Sequence, residues 1–514
     1  MEYNFLKYKI KDYIEILEKN NQLINVVNCY NILEEVVEDL SYNSKEVEKG
    51  TLFICKGFEN NFKEEYLIEA IRFGALAYVS QTKYDINSPC IIVKDSYIAL
   101  SILSNLYYNN PEKDLNIIGI TGTKGKSTTS EYLKCILDEY LKSLNKKDTA
   151  IISSIDTYDG IEKFKSHITT PESLDIYRHL YNAKISNIQN VIMEISSQAL
   201  KFGRVYSLNF NIGVFLNISE DHVSNIEHAD FEDYFSSKLK LFEKTKVACI
   251  NMDSYNYDRI KRVAEESNNK IVTFSCKNKV ADIFAYDIIK DKNNIKFKVR
   301  TPNYNKEFIL TMPGLFNIEN ALAAISVSYI MNIPEVHIYN GLAKAKSSGR
   351  MEIYSSKDEK IVSIVDYAHN KLSFEKIYET VKKEYPDRKV VTIFGCPGKK
   401  AYIRRRDLGL LSGKNSDIIY LTADDPSYEN IYDICKEVSD YVEEYTANYQ
   451  IIEDREEAIK KAVYDAVKCD ERSIILILGK GSETTQKIGS EFVNYIGDAT
   501  IVKLELSLYD SKYN

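Results

Sequence analysis

Lys126 and Ser127 follow a turn that carries Gly122 and Gly125, at the end of the apolar run 116–120, and they open a helix-forming stretch. Glycines there let backbone N–H groups approach phosphate oxygens, and the helix start adds partial positive charge. A lysine at this place reaches the β- and γ-phosphates, and the following hydroxyl suits Mg2+. Gly122, Thr123, Lys124, Gly125, Lys126, Ser127 and Thr128 thus read as a triphosphate cradle for ATP. The spacing departs from G-x-x-x-x-G-K-[ST], because position 120 is Ile and the nearest glycines are Gly119 and Gly122. The plainer alternative is a small-residue loop that only caps a helix. Glu194 ends another apolar run and offers a hard oxygen ligand suited to Mg2+, while His222, after a further one, could complete a second metal position. Lys238 sits among aromatic and leucine residues, where a buried unpaired ammonium is costly; its alternative is a surface lysine on an apolar stem.

These residues need a frame, and the hydrophobic periodicity supplies one. Strands are expected at 116–121, 190–195, 212–218, 247–251 and 271–275, with helices at 127–141 and 317–330. A second series of strands falls near 361–366, 389–394, 417–422, 449–452 and 473–478, with helices between. Strand–helix alternation implies mostly parallel sheets with helices on both faces, whose ligands gather at the carboxyl ends of the strands. Residues 1–113 mix helical segments with strands at 51–55 and 75–79, and 109–113 reads as a linker. The expected fold is α/β in three domains. Residues 1–113 form a small α/β domain, 114–347 a central P-loop-like domain with a mostly parallel sheet, and 348–514 a Rossmann-like, doubly wound domain.

At 514 residues the chain is too long for one core. Its net charge of -8 with dispersed lysines opposes nucleic-acid binding. Nine cysteines without a CxxC pair argue against a zinc site and a disulfide framework. The first residues lack the apolar core of a signal peptide, and no apolar run approaches a membrane span, so a cytoplasmic protein without a membrane partner is expected.

Several further blocks follow the cradle in order: HITTPES from His167, MEISSQAL from Met193 and NISEDH from Asn217. YFSSKLKLF from Tyr234, GLFNIEN from Gly314, GRME from Gly349, DYAH from Asp366 and GKGSE from Gly479 complete the set. In order and spacing they cover nearly the whole chain, which resembles the Mur ligase family, most closely its third-residue-adding members. The resemblance implies an ATP-dependent amide ligase of peptidoglycan precursor synthesis. It would join a free amino acid to UDP-N-acetylmuramoyl-L-Ala-D-Glu through an acyl phosphate, with two Mg2+ ions, as a monomer. It implies catalytic roles for Lys126, Glu194, His222 and Lys238, with Ser127, Glu194, His222 and a carbamylated Lys238 holding the metal. Asn317, Asn320, Arg350 and Asp366 would surround ATP, and closure of the domain that begins near Arg350 would exclude water. Thr169, Thr170, Ser197 and Arg204 would hold the UDP-sugar peptide, with Ser44 near the uridine, where a family Asp-Ser-Arg reads Asn43-Ser44-Lys45. Gly479 and Glu483 would border the incoming amino acid.

The last domain departs from the family pattern. After Phe394-Gly395-Cys396 a second glycine and an Asp-Arg-Asp run are usual, whereas this chain has Pro397-Gly398-Lys399-Lys400-Ala401. Lys400 keeps a positive charge without the bidentate grip of arginine. Enzymes that add meso-diaminopimelate usually read Asp-Asn-Pro-Arg where this chain has Asp424-Asp425-Pro426-Ser427. Loss of the arginine and gain of the Asp425 carboxylate fit an amino acid ending in an amine, so L-lysine is favoured. The same residues also read as a type I turn with Pro at its second position. Other readings are a folylpolyglutamate-type ligase or paralogue joining a different acid and amine, and an inactive nucleotide-binding scaffold. Folate enzymes lack an N-terminal domain like this one, and a scaffold has no need of Lys126, Glu194, His222 and Lys238 together.

Overall fold

The computed structural model describes residues 6–57, 62–166, 168–219, 228–291, 294–346 and 349–513. They gather into two compact units, one up to Thr311 and from Phe316 to Ala345, the other Met312–Leu315 and from Lys346 onward. The fold is mixed α/β with extensive parallel pairing. Among the described residues, no helix is long and apolar enough to cross a membrane.

The first unit carries two sheets. One has five strands, in which Asp39–Ser41, Thr51–Ile54, Ala77–Ser80 and Cys90–Val93 run parallel and Leu23–Val27 closes the edge antiparallel. The other has eleven strands, and its centre is the order Thr245–Asn251, Phe210–Phe215, Asn116–Thr121, Asn190–Glu194, Ala150–Ile152, all parallel. Their apolar character, nearly unbroken along each strand, reflects burial on both faces. One continuous core joins the two sheets, running from Leu40 and Ile54 through Leu103 and Tyr177 to Phe210. Helix Ser96–Tyr107 packs on helix Ser173–Ile185 within it.

The second unit has a six-stranded sheet in the order Glu352–Ser355, Ile361–Asp366, Ser473–Leu478, Lys389–Phe394, Ile418–Leu421, Tyr449–Ile451, parallel except at the Glu352–Ser355 edge. Helices Arg455–Lys468 and Asp498–Tyr513 cover one face through Ile459, Val463 and Val502. On the other, Phe374 meets Phe394, and the Tyr378 hydroxyl lies 3.0 Å from Thr392 Oγ1.

The strands expected at 116–121, 190–195, 212–218, 247–251 and 271–275 and the helices at 127–141 and 317–330 fall within a few residues of those positions, but the central parallel strand Ala150–Ile152 was not expected. The periodicity missed the antiparallel additions: strands Asp156–Tyr158 and Lys163–Lys165 at one edge of the large sheet, and Asn294–Arg300 and Asn305–Leu310 at the other. It also missed the hairpin of Thr485–Ile488 with Glu491–Asn494. Ala75 and Leu76 precede the strand they were expected to begin.

Candidate functional site

Asn116–Thr121 is the first strand of the eleven-stranded sheet, and later strands flank it on both sides, which makes its carboxyl end a topological switch point where α/β sheets bind ligands. The cradle residues occupy that end. Gly125 has φ +87° and is followed at once by helix Lys126–Ser143, so the backbone turns sharply to aim the helix N-terminus at the loop. Asn217, from the neighbouring strand end, braces the turn: its Oδ1 accepts from Lys124 N at 2.9 Å and its Nδ2 donates to Lys124 O at 3.1 Å. Thr123 is tied in by Tyr234, whose hydroxyl lies 3.1 Å from Thr123 Oγ1. Lys126 Nζ donates to Gly122 O at 2.9 Å, and Ser127 and Thr128 are buried in the first helical turn. Asn317 and Asn320 begin helix Asn317–Ile330, where Asn320 Nδ2 donates to Asn317 Oδ1 at 3.1 Å.

Glu194 lies at the end of the adjacent strand and is fully buried. Its Oε2 accepts from Ser154 Oγ at 2.8 Å, while its buried Oε1 has no hydrogen-bond partner. A buried carboxylate oxygen without a donor is costly unless a cation meets it, so this hard oxygen fits Mg2+; Ser127, a second hard oxygen, is in the first turn of the helix that follows the neighbouring strand. Lys238, on helix Phe231–Leu239, is buried; its Nζ donates to Gly122 O at 3.1 Å and sits 4.7 Å from the centre of the Tyr234 ring. The structure thus brings Lys126 and Lys238 to the same loop carbonyl. His222 lies outside the described residues.

The expected peptide-binding residues surround Glu194. Thr169 Oγ1 lies 3.0 Å from Ser154 Oγ. Thr170 is buried; its hydroxyl donates to Glu194 O at 2.8 Å and accepts from Ser196 N at 2.9 Å. Arg204 donates from Nη1 to Thr170 O at 3.0 Å and pairs through Nη2 with Glu172 at 2.9 Å. Ser197 is held by His228, whose Nε2 is 2.9 Å from Ser197 Oγ. In the five-stranded part, Ser44 is buried and donates to the Glu69 carboxylate.

In the second unit, Asp366 ends strand Ile361–Asp366, and its two oxygens accept from Met351 N and Ala368 N, each at 2.7 Å. Arg350 stacks on Tyr367, 4.6 Å from the ring centre. The expected amino-acid residues collect at the carboxyl ends of the same sheet around Lys480, which is buried. Lys480 Nζ pairs with Glu483 at 2.7 Å and Asp425 at 2.8 Å, with Asp424 at 3.8 Å. Gly479 borders Asp424, whose Oδ2 would make ordinary contact at 3.4 Å with a Cβ placed there, so its φ of +113° is what favours glycine. Burial pushes the Asp424 carboxyl up to about 6 against the pull of Lys480. Asp425 Oδ1 also accepts from Lys487 N at 3.0 Å, so the extra carboxylate noted in the sequence is engaged by its own protein. Lys400 is exposed.

Ser427 has φ +52°, which excludes the expected type I turn and gives one with a left-handed third residue. The hairpin enforces it: Ser427 N donates to Lys487 O at 2.9 Å, and Gly489 N donates to Ser427 O at 2.7 Å. Arg405, almost fully buried, holds both oxygens of Glu429 at 2.9 and 2.8 Å just beyond the turn. Sequence reasoning passed over Asn217, Tyr234, His228, Arg405 and Lys480. Asn217, Tyr234 and Lys480 lie inside the quoted blocks; His228, between two of them, and Arg405, in an Arg-rich helix, gave no signal.

Comparison with known proteins supplies independent findings. The chain matches a family described as the Mur ligase middle domain over residues 120–328, and one described as the Mur ligase, glutamate ligase domain over residues 349–481. The UDP-N-acetylmuramoyl-L-alanyl-D-glutamate L-lysine ligase of Enterococcus faecalis is 35% identical over 473 residues, covering 91% of each chain. The corresponding 2,6-diaminopimelate ligase of Clostridioides difficile is 34% identical over 478 residues, covering 92% of this chain and 96% of that one. A solved structure of a UDP-N-acetylmuramoyl-L-alanyl-D-glutamate 2,6-diaminopimelate ligase superposes with a TM-score of 0.67 at 22% identity, covering 98% and 99% of the two chains.

Proposed function

This chain belongs to the Mur ligase family of ATP-dependent ligases, and we propose that it adds a third, diamino residue, L-lysine in preference to meso-diaminopimelate, to UDP-N-acetylmuramoyl-L-Ala-D-Glu in the cytoplasm. The observation that carries the reading is Glu194: a buried carboxylate with one oxygen lacking a donor, one strand away from a phosphate-type loop. Mg2+ bound there, held by Ser127, Glu194, His222 and a carbamate on Lys238, would neutralise phosphate charge.

The chain's own groups position the reactants. Lys126 and the N–H groups of residues 122–128 hold the β- and γ-phosphates of ATP so that the dipeptide carboxylate attacks in line. Thr169 and Arg204 orient that carboxylate while Ser197 holds another part of the dipeptide; ADP leaves, and the acyl phosphate formed is then attacked by the incoming amine, releasing phosphate. Lysine is favoured because the described groups around Asp424, Asp425 and Glu483 carry one ammonium, Lys480, already shared among three carboxylates. Such a set has a net negative charge, which suits a terminal amine and opposes a second carboxylate.

The test is phosphate release from ATP with the UDP-muramoyl dipeptide, Mg2+ and single amino acids, with products confirmed by mass. Release dependent on L-lysine supports the reading. Preference for meso-diaminopimelate overturns the choice of amino acid, and no release with any diamino acid overturns the assignment.

A further inference from the structure

Ser197 and His228 belong to separate segments, and each is buried. Ser197 opens the short helix Ser197–Lys201, and His228 precedes helix Phe231–Leu239. His228 Nε2 lies 2.9 Å from Ser197 Oγ, and its Nδ1 faces Asp233 Oδ2 at 3.4 Å, an electrostatic contact without hydrogen-bond geometry. The ring also meets Tyr234 edge to face, with centres 5.2 Å apart, and Tyr234 in turn touches the phosphate loop through Thr123.

The proton positions follow from what faces each nitrogen. Asp233 Oδ2 accepts from Lys201 Nζ at 2.6 Å and from Ala229 N at 3.0 Å. Burial works against its ionisation, but the lysine and backbone donors outweigh burial and hold the carboxyl below its ordinary range. The negative charge of Asp233, 3.4 Å away, favours the tautomer whose N–H is turned toward it, so Nδ1 is the nitrogen assigned the hydrogen. In the neutral ring Nε2 is then an acceptor, and the Ser197 hydroxyl must donate to it. With its only proton committed, Ser197 has just lone pairs to turn toward a ligand.

We propose that His228 is a positioning residue that fixes Ser197 as a hydrogen-bond acceptor for a peptide N–H of the acid substrate. This rests on the reading that Ser197 faces the muramoyl dipeptide. Asp233 sets the tautomer, His228 sets the hydroxyl, and the hydroxyl selects a donor over a carboxylate or phosphate oxygen. A serine free to rotate would bind either kind of group; one locked by His228 rejects the acceptors.

Two measurements on the full chain test it. The first is the 15N spectrum of histidine-labelled protein at pH 7.5, with His228→Gln identifying one signal among six histidines. A neutral ring protonated at Nδ1 is expected; protonation at Nε2, or an imidazolium, overturns the proposal. The second is steady-state ligation. His228→Leu should raise KM for the dipeptide about five- to tenfold with kcat and KM for ATP little changed, the size of one neutral hydrogen bond. His228→Gln, whose carboxamide oxygen can accept at the Nε2 position, should restore most of the loss. Ser197→Ala should weaken the natural substrate to the same degree, yet leave unaffected the analogue in which the contacted peptide N–H is an ester oxygen. Equal loss in the Leu and Gln variants, or equal loss of every analogue with Ser197→Ala, overturns it. A wild-type protein that ligates nothing refutes the ligase reading instead, and the spectrum still decides the hydrogen-bond polarity.

Discussion

The carboxamide of Asn320 occupies the space where a side chain at Gly125 would begin: a Cβ added to Gly125 would lie 2.2 Å from Asn320 Oδ1. The loop glycine and the helix Asn317–Ile330 are therefore fitted to each other, and Gly125 also has φ +87°, a conformation that side chains resist. Gly125→Ala should destabilise the chain by about 1–3 kcal/mol and lower ATP affinity at least tenfold. Removing the clash with Asn320→Ala should recover only part of this, because the backbone strain remains. Thermal unfolding and nucleotide titration of the single and double variants check it.

Lys126→Ala removes the ammonium expected at the transferring phosphoryl group, and kcat should fall about a hundred- to a thousandfold, the scale of losing one transition-state charge contact. Binding of the UDP-muramoyl dipeptide, measured by calorimetry without ATP, should stay within about twofold.

Lys238→Arg keeps a cation beside Gly122 but cannot form a carbamate, so activity should be lost with little change in stability. Wild-type protein equilibrated with 13C-bicarbonate should show a carbamate carbon signal that the variant lacks. A fully active arginine variant would refute the metal-ligand role of Lys238.

Asp424 gives stability a pH dependence of definite sign. Burial raises its carboxyl from 3.8 to about 6, so the folded chain holds that proton more tightly than the unfolded chain. Its contribution is fully present below about pH 4 and is lost as pH rises through 6, after which the ionised form costs about 1–3 kcal/mol. Asp424→Asn should therefore unfold at higher urea than wild type at pH 8, with the difference gone by pH 4.

Arg405→Leu would strand Glu429 beside the 424–427 turn. A loss of about 3 kcal/mol is expected. KM for the amino acid should rise while KM for ATP holds, since Arg405 grips the residue just beyond the turn and no part of the phosphate loop.

The sequence by itself determined what is local. The order of residues 116–128 specified the strand, the turn and the helix start, because spacing along a short segment fixes backbone geometry. The strand and helix alternation was likewise legible in hydrophobic periods that each element carries within itself. Only the tertiary structure decided the pairings across the chain. Asp425 looked like a carboxylate offered to a substrate until Lys480, 55 positions on, and the Lys487 amide, 62 positions on, were seen to engage it. Ser427 was pulled out of the type I turn by a hairpin that its own neighbours do not encode. His228 gave no local sign of fixing Ser197, 31 positions earlier. The antiparallel strands at the sheet edges were hidden for the same reason. A hydrogen bond or ion pair gains its strength from burial and from a partner brought close by the fold, and neither is written in the spacing of the residues that make it.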